Sequence, residues 1–449
     1  MNINIQQYPQ EIPWLTQNIL QRLHSPVCGM IQEIGFATRA TRDSRIMTSG
    51  VDLTGVHTYL GRPHPGPAGY HIGGSGFIFQ ETLIRSLGES IERYSQLMCY
   101  RANIHKGIVA SYREMISKNE PVVPKEKLLF YSQEQYKQAG FPFVPLNEDA
   151  RLVWVPTFCI STEKLLWVPA QLLFVGYQLH HAQHEPWISA SVTTGTAAHT
   201  DKVKALLNAI LEIIQIDSAM GHWYSNQVAP RIIFDERTAA LENIIKQAGE
   251  QHKYLSFHWL QNPDLHGFSI ACVYYYPSGL PPKLAVGLGA DTQLESAMYK
   301  AYLEMMGVIS LARLNTLERT FSNQEKTINP ATIYDVDSNV SYYALGNNLA
   351  RVREKFSHAK VIKAKDMPND DHGSQLEQLN HLLRPFEKKQ MNLVYTDMTL
   401  SEADDLGFVV PRVWSPDLLS LCLPSIPWKA HPRFLEYGGC CHADPHPYP

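Results

Sequence analysis

Three stretches of the chain carry polar residues in single file through otherwise apolar sequence. In Arg85-Ser-Leu-Gly-Glu89-Ser-Ile-Glu92-Arg93-Tyr-Ser-Gln96, the residues Arg85, Glu89, Glu92 and Gln96 recur at intervals of four, three and four. On a helix that spacing stacks them on one stripe, with Leu83, Leu87, Ile91 and Tyr94 as apolar neighbours. In Val203-Lys204-Ala-Leu-Leu-Asn208-Ala-Ile-Leu-Glu212-Ile-Ile-Gln215-Ile-Asp217, Lys204, Asn208, Glu212 and Gln215 step by four, four and three through an almost wholly apolar helix. In Glu295-Ser-Ala-Met-Tyr-Lys300-Ala-Tyr-Leu-Glu304-Met-Met, Lys300 and Glu304 sit one turn apart, framed by Ala297, Ala301, Leu303 and Met305. Helices apolar around most of their circumference are buried, and buried carboxylates are paired with cations or coordinate metals. Basic residues on these stripes are too few to pair Glu89, Glu92, Glu212 and Glu304, so divalent cations are their natural partners. Hard ions such as magnesium take oxygen ligands and are commonly held together with substrate phosphates. Taken singly, each stripe also fits a solvated face or an ordinary helical ion pair; their recurrence in three helices favours one shared site.

Between these helices, alternating apolar runs predict strands at Leu152-Val-Trp-Val-Pro and Leu165-Leu-Trp-Val-Pro, at 231–234, 254–259 and 269–276, and near 391–397 and 407–414. A helix is predicted near 237–250. His71-Ile-Gly-Gly-Ser75-Gly-Phe and Gly287-Leu-Gly-Ala-Asp291 read as glycine-rich approaches to the first and third acidic helices, where backbone N–H groups can meet a phosphate. The polar regions 314–341 and 364–376 read as surface loops. Residues 1–24 read as an N-terminal extension with a short amphipathic helix, and 25–449 as the main body. Without a clean alternation of strand and helix, the body is α+β, with mixed sheets and helices. It has no G-x-x-x-x-G-K-[ST] and no G-x-G-x-x-G, so any nucleotide is bound without a Walker or Rossmann loop.

Composition narrows the classes. With 39 basic and 43 acidic residues in 449 the net charge is −4, and no long basic run is present, so nucleic acid is not an expected partner. No secretory signal and no apolar run of about 18 residues occurs, which gives the expectation of a cytoplasmic protein without a membrane segment. The seven cysteines are scattered without C-x-x-C spacing, consistent with a reducing compartment. His180-His181-Ala-Gln-His184 reads as solvated, and Cys440, Cys441 and His442 are too crowded to form a zinc site by themselves. Proline stands at Pro445, Pro447 and Pro449, at alternate positions up to the terminus, which stiffens the tail 440–449 into an extended strand. By pattern alone such a tail is solvated, although its stiffness suits a terminal carboxylate that is held somewhere.

Ser86-Leu-Gly-Glu89-Ser-Ile-Glu92-Arg93 resembles the S-x-x-E-x-x-E-R signature of the YcaO family, and Pro445-His-Pro447-Tyr-Pro449 resembles the P-x-P-x-P terminus of its azoline-forming cyclodehydratases. Thr194-Gly-Thr-Ala-Ala, Gly287-Leu-Gly-Ala-Asp, Pro411-Arg-Val-Trp-Ser-Pro and His431-Pro-Arg-Phe are further echoes. The resemblance runs from about Ser25 to Pro449. It implies an ATP-dependent peptide cyclodehydratase with a nucleotide fold of its own. In that chemistry a Cys, Ser or Thr side chain of a ribosomal precursor peptide attacks the preceding amide, whose oxygen is phosphorylated and leaves, giving a thiazoline or oxazoline. Carried over by position, Glu89, Glu92, Glu212, Gln215 and Glu304 hold Mg2+, while Ser75, Ser86, Arg93, Lys204, Asn208 and Lys300 face ATP. Pro445, Pro447 and Pro449 form the catalytic tail, whose Pro449 carboxylate helps move a proton.

The chain departs from the family pattern at four places. Gln215 replaces a second acid, Lys300 an arginine, and Gly74-Ser75-Gly76 a Gly-Lys-Gly, while Lys204 stands where an acid is expected. These departures keep a thioamide- or amidine-forming enzyme and a catalytically weak scaffold open as alternatives. The resemblance also implies partners: a precursor peptide of bacteriocin type; a separate E1-like leader-peptide-binding protein, since the chain leaves no room for a fused one; a flavin-dependent azoline dehydrogenase; and a homodimer within a larger complex.

Overall fold

Each acidic helix is preceded by a glycine-bearing segment that reaches back to it, a strand before the first and third and a turn before the second, and this arrangement organises the molecule. The computed structural model describes residues 13–449 apart from 26, 28, 38, 40–43, 64, 67, 68, 104–106, 180–183, 323–326 and 357–359. The first twelve residues of the expected extension, and His180 and His181, lie outside the described residues.

Helix α1 (Pro13–Leu23) buries Ile19 and Leu23 in the main core. An antiparallel sheet β1 (Ile31–Phe36), β2 (Met47–Leu53), β3 (Ile72–Gly76) follows and runs into α2 (Phe79–Asn103). The segment Gly74-Ser75-Gly76 is therefore part of strand β3, paired with Met47–Ser49, rather than a loop. Strands β4 (Ile108–Ser111), β5 (Arg151–Cys159) and β6 (Lys164–Pro169) begin a second sheet before α3 (Lys202–Tyr224). Asp201 caps α3 by accepting the Lys204 N–H at 2.8 Å, a favourable acidic N-cap. The third sheet is built from β7 (Arg231–Ile233), β8 (Leu255–Trp259), β9 (Phe268–Tyr275) and β10 (Leu284–Asp291), which leads into α4 (Leu294–Phe321). Helix α5 (Val336–Ala344) packs on α4. Strand β11 (Val361–Lys363) then joins β7 in parallel, α6 (Gln375–Lys388) covers α3, and β12 (Val394–Asp397) and β13 (Pro411–Trp414) complete the second sheet. The predicted hairpin β5–β6 and strands β7, β8, β9, β12 and β13 form close to where the sequence places them.

Two expectations are corrected. The region 314–341 is not a surface loop: its start is the end of α4, and its end is α5, whose Asn339, Val340, Ser341, Tyr342 and Tyr343 are buried. The tail is not solvated, for Pro445 to Tyr448 are buried and Pro449 half-buried.

The buried edge strand β10 shows why these segments carry glycine. A Cβ on Gly289 would lie 2.3 Å from the Ala297 carbonyl oxygen and 2.4 Å from the Ala301 nitrogen of α4, closer than atoms can approach. Gly289→Ala is expected to cost about 1–3 kcal/mol, the usual range for overpacking, read as a lower denaturation midpoint. An unchanged midpoint would show that β10 and α4 separate freely.

Candidate active site

The three helices bring Glu89, Glu92, Glu212 and Glu304 together. Each of three carboxylates is held by one backbone N–H of the segment before its helix. Glu89 Oε2 accepts from Gly73 at 3.1 Å, Glu212 Oε2 from Gly195 at 3.0 Å, and Glu304 Oε2 from Leu288 at 2.9 Å. Donor and acceptor are 16, 17 and 16 residues apart, so one local design, a segment whose N–H reaches forward to a glutamate on the helix that follows, occurs three times. Gly195 adopts φ 89°, and a Cβ there would meet the Val413 carbonyl oxygen at 2.3 Å, so this position requires glycine.

The acids stand among dense protein yet keep access to solvent: Glu89 keeps 35% of its side chain exposed, Glu92 and Glu212 are half-buried, and Glu304 is exposed. Depth and mutual repulsion move their protonation. Burial lifts Glu304 to about 8, with Glu212 and Glu89 adding to the rise. Burial lifts Glu212 to about 7 against the Gly195 N–H, Arg412 and Arg93. Burial, then Glu212 and Glu89, push Glu92 well above the carboxylate range. Glu89 is also raised by burial, against the pull of Arg93 3.7 Å away.

Positive charge is supplied sparingly. Arg412, 1% exposed on β13, donates to the carbonyls of Thr193 and Thr194 and to Thr196 Oγ1. Burial lowers it to about 10, opposed by Glu212 and Glu92. Gln96 donates to the Thr193 carbonyl at 2.9 Å, so α2 and β13 clamp the same loop, while Gly195 reaches Glu212 of α3. At the other end, Lys300 meets Asp291 Oδ2 at 2.7 Å and the Ala290 carbonyl at 3.1 Å. Lys204 lies close by, depressed by burial and by Lys300 and lifted by Asp291. Lys300 is thus paired with Asp291 and Lys204 stands within electrostatic reach of both, a cluster of positive charge suited to phosphate.

The donor set fits a hard cation. Four carboxylates repel one another, the buried Asn208 Oδ1 one turn before Glu212 has no hydrogen-bond partner, and all these donors are oxygens. Among the described residues no three His, Cys, Asp or Glu side chains converge tightly enough to hold an ion alone. Magnesium here would be completed by phosphate and water oxygens, as is usual for that ion.

A family model described as YcaO cyclodehydratase, ATP- and Mg2+-binding, matches residues 73–419. The chain belongs to the YcaO family. No curated protein matches it. Its fold is similar to a heterocyclase solved in complex with substrate and cofactor, at TM-score 0.66 and 17% identity, over 94% of this chain and 55% of that one. YcaO from Methanopyrus kandleri, bound with AMPPCP and Mg2+, aligns at TM-score 0.57 and 15% identity, over 90% of this chain and 89% of that one. A chain of the E. coli microcin synthetase McbBCD complex with pro-MccB17 bound aligns at 0.59 and 12%, over 93% and 96%. The chain spans about half the length of the heterocyclases it matches, 55% and 48% of them.

Within this YcaO fold most of the residues expected from sequence converge. Glu89, Glu92, Arg93, Asn208, Glu212 and Glu304 surround one cleft, with Lys204 and Lys300 paired around Asp291. Half-buried Gln215 follows Glu212 by one turn. Ser75 is 8% exposed on β3, beside α4, where a Cβ on Gly307 would lie 3.5 Å from its Oγ. Ser86 is fully buried: its Oγ donates to the Thr82 carbonyl at 2.9 Å and lies 2.5 Å from Ser49 Oγ, which joins β2 to α2. Arg85 turns back to Glu81 at 3.1 Å, away from the acids on its stripe. The site residues that periodicity missed are Arg412 and Asp291. They lie in a short strand and at a strand end, where no helical repeat marks them.

The tail is threaded through the protein. His442 Nε2 meets the Trp223 carbonyl oxygen at 2.7 Å, Trp223 donates to the Asp444 carbonyl at 3.0 Å, and Arg351 pairs with Asp444 at 3.0 Å. Tyr343 donates to the Pro445 carbonyl, and His446 Nε2 meets the Cys422 carbonyl oxygen at 3.0 Å.

Proposed function

We propose that this YcaO chain catalyses ATP-dependent cyclodehydration of Cys, Ser or Thr residues in a ribosomal precursor peptide to thiazoline or oxazoline rings. The observation that carries this reading is the convergence of four mutually repelling glutamates beside a lysine pair in a YcaO fold, with a buried proline-spaced terminus. An amide oxygen is a poor leaving group; ATP with Mg2+ supplies a phosphoryl group that carries it off, so each ring costs one ATP and releases phosphate. Glu89, Glu92, Glu212 and Glu304, helped by Asn208 and Gln215, would hold the metal ions. Lys204 and Lys300 would orient phosphate oxygens. Arg412 keeps the loop 193–196 fixed so that Gly195 can hold Glu212. The Pro449 carboxylate, at the end of the held tail, would take the proton released when the peptide nucleophile adds. An E1-like protein would present the leader of the precursor within a larger assembly.

The test is direct. Incubated with ATP, Mg2+, an E1-like partner protein and a Cys-, Ser- and Thr-rich precursor peptide, the chain should remove one water mass per ring, with matching phosphate release. Unchanged peptide mass without phosphate would reject the reading, while sulfur gained in place of oxygen would identify a thioamide-forming enzyme.

A further inference from the structure

Alternate prolines explain what kind of partner the tail needs. Pro445, Pro447 and Pro449 lack N–H groups, so the tail cannot donate along the edge where they stand, and the carbonyl oxygens of His446 and Tyr448 are met here by a side-chain donor. Asn339 of α5, 2% exposed, provides them: its Nδ2 donates to the His446 carbonyl at 3.0 Å and to the Tyr448 carbonyl at 3.1 Å. One turn further, Tyr343 holds the Pro445 carbonyl. Both acceptors of Asn339 are carbonyls, so the amide must present nitrogen to them, and its Oδ1 is left without a partner.

The same helix grips the metal-site scaffold. Asp337, two residues before Asn339, meets His71 Nε2 at 3.0 Å, and His71 leads into Gly73, whose N–H holds Glu89. Asp337 Oδ1 also accepts from Asn315 at 3.1 Å. Asn315 lies on α4, eleven residues beyond Glu304 and so on nearly the same stripe. Helix α5 therefore touches the tail, the segment whose Gly73 holds Glu89, and the helix that carries Glu304.

We propose that Asn339 is a positioning residue that sets the register of the C-terminal tail against the glutamate cleft, with α5 as the splint between them. The proposal rests on the reading that the tail serves the reaction. Asn339→Asp keeps the shape and turns the donor into an oxygen facing two carbonyl oxygens. In the full-length chain carboxypeptidase Y should then release Pro449 and Tyr448, which the wild type retains, as read from intact mass. With the precursor peptide and E1-like partner, kcat should fall on the order of tenfold to a hundredfold, the cost of a small misplacement, while affinity for AMPPCP with Mg2+ stays within about twofold of wild type. In a chain lacking Pro447 to Pro449, the same substitution should change kcat no further. Tyr343→Phe, which deletes one hydroxyl, should act in the same direction and serves if Asn339→Asp does not fold. A protected tail in both variants, or an equal loss of kcat with and without the tail, overturns the proposal. Should the wild type modify no peptide, the cyclodehydratase reading fails, while the digestion still decides whether Asn339 holds the tail.

Discussion

Replacing Glu212 with glutamine is expected to lower phosphate release at least about a hundredfold, on the order of 3 kcal/mol of transition-state stabilisation, and to make the metal-free protein more stable. Both outcomes come from the same crowding of negative charge. An acid whose pKa is higher in the fold than in the unfolded chain retains a proton on folding, so stability falls as pH rises between the two values. For Glu212 that interval runs from about 4.5 to about 7, and for Glu304 from about 4.5 to about 8. The metal-free wild type should therefore lose stability as pH rises through this window, and Mg2+ with AMPPCP should restore it. Glu212→Gln should flatten the loss and shrink the rescue, because a neutral amide neither repels Glu92 nor binds magnesium as a carboxylate does. Thermal unfolding at several pH values, with and without Mg2+ and AMPPCP, reads both. Identical ligand-induced shifts in the two proteins would remove Glu212 from the metal site.

The second large effect concerns stability alone. Arg433, 2% exposed, donates to Asp217 at 2.8 Å and to Asp264 at 2.6 Å, and Tyr437 and the Leu419 N–H also donate to Asp217. Asp217 is fully buried. Removing one partner of a buried pair strands the other charge, at a cost of about 3–5 kcal/mol. Arg433→Met is thus expected to lower the denaturation midpoint severely, and adding Asp217→Asn should recover part of the loss. Asp264 keeps Lys389 at 2.6 Å and needs no rescue. A single variant as stable as wild type would show that hydrogen bonds from Tyr437 and Leu419 satisfy Asp217 without the cation.

What was legible in the sequence followed from contrast. Glu89, Glu92, Asn208, Glu212 and Glu304 stand out because their neighbours on the helix are apolar, and such positions can only be lined up with a purpose. Helix α5 was illegible for the opposite reason. Its stretch Val336-Asp-Ser-Asn339-Val-Ser-Tyr-Tyr-Ala is polar enough to read as surface, and only the tail's carbonyl oxygens, more than a hundred residues away in the chain, make Asn339 a buried group. The signature position Ser86 gave no hint that its hydroxyl also joins α2 to β2, because Ser49 lies far from it in the chain. Arg412 needed tertiary knowledge, since a lone arginine in a four-residue strand carries no period. The glycine-rich approaches to the first and third acidic helices were legible, but not the common spacing, in which a backbone N–H 16 or 17 residues ahead of a glutamate reaches it three times over.

The buried course of the last residues bears on how the protein can be handled. Pro449 ends a segment whose preceding four residues are enclosed, so anything appended there must pass the same enclosure or dislodge it. An affinity handle fused at that end would compete with Asn339 and Tyr343 for the space the chain's own terminus fills. Handles, labels and fusion partners belong at the opposite end of the polypeptide.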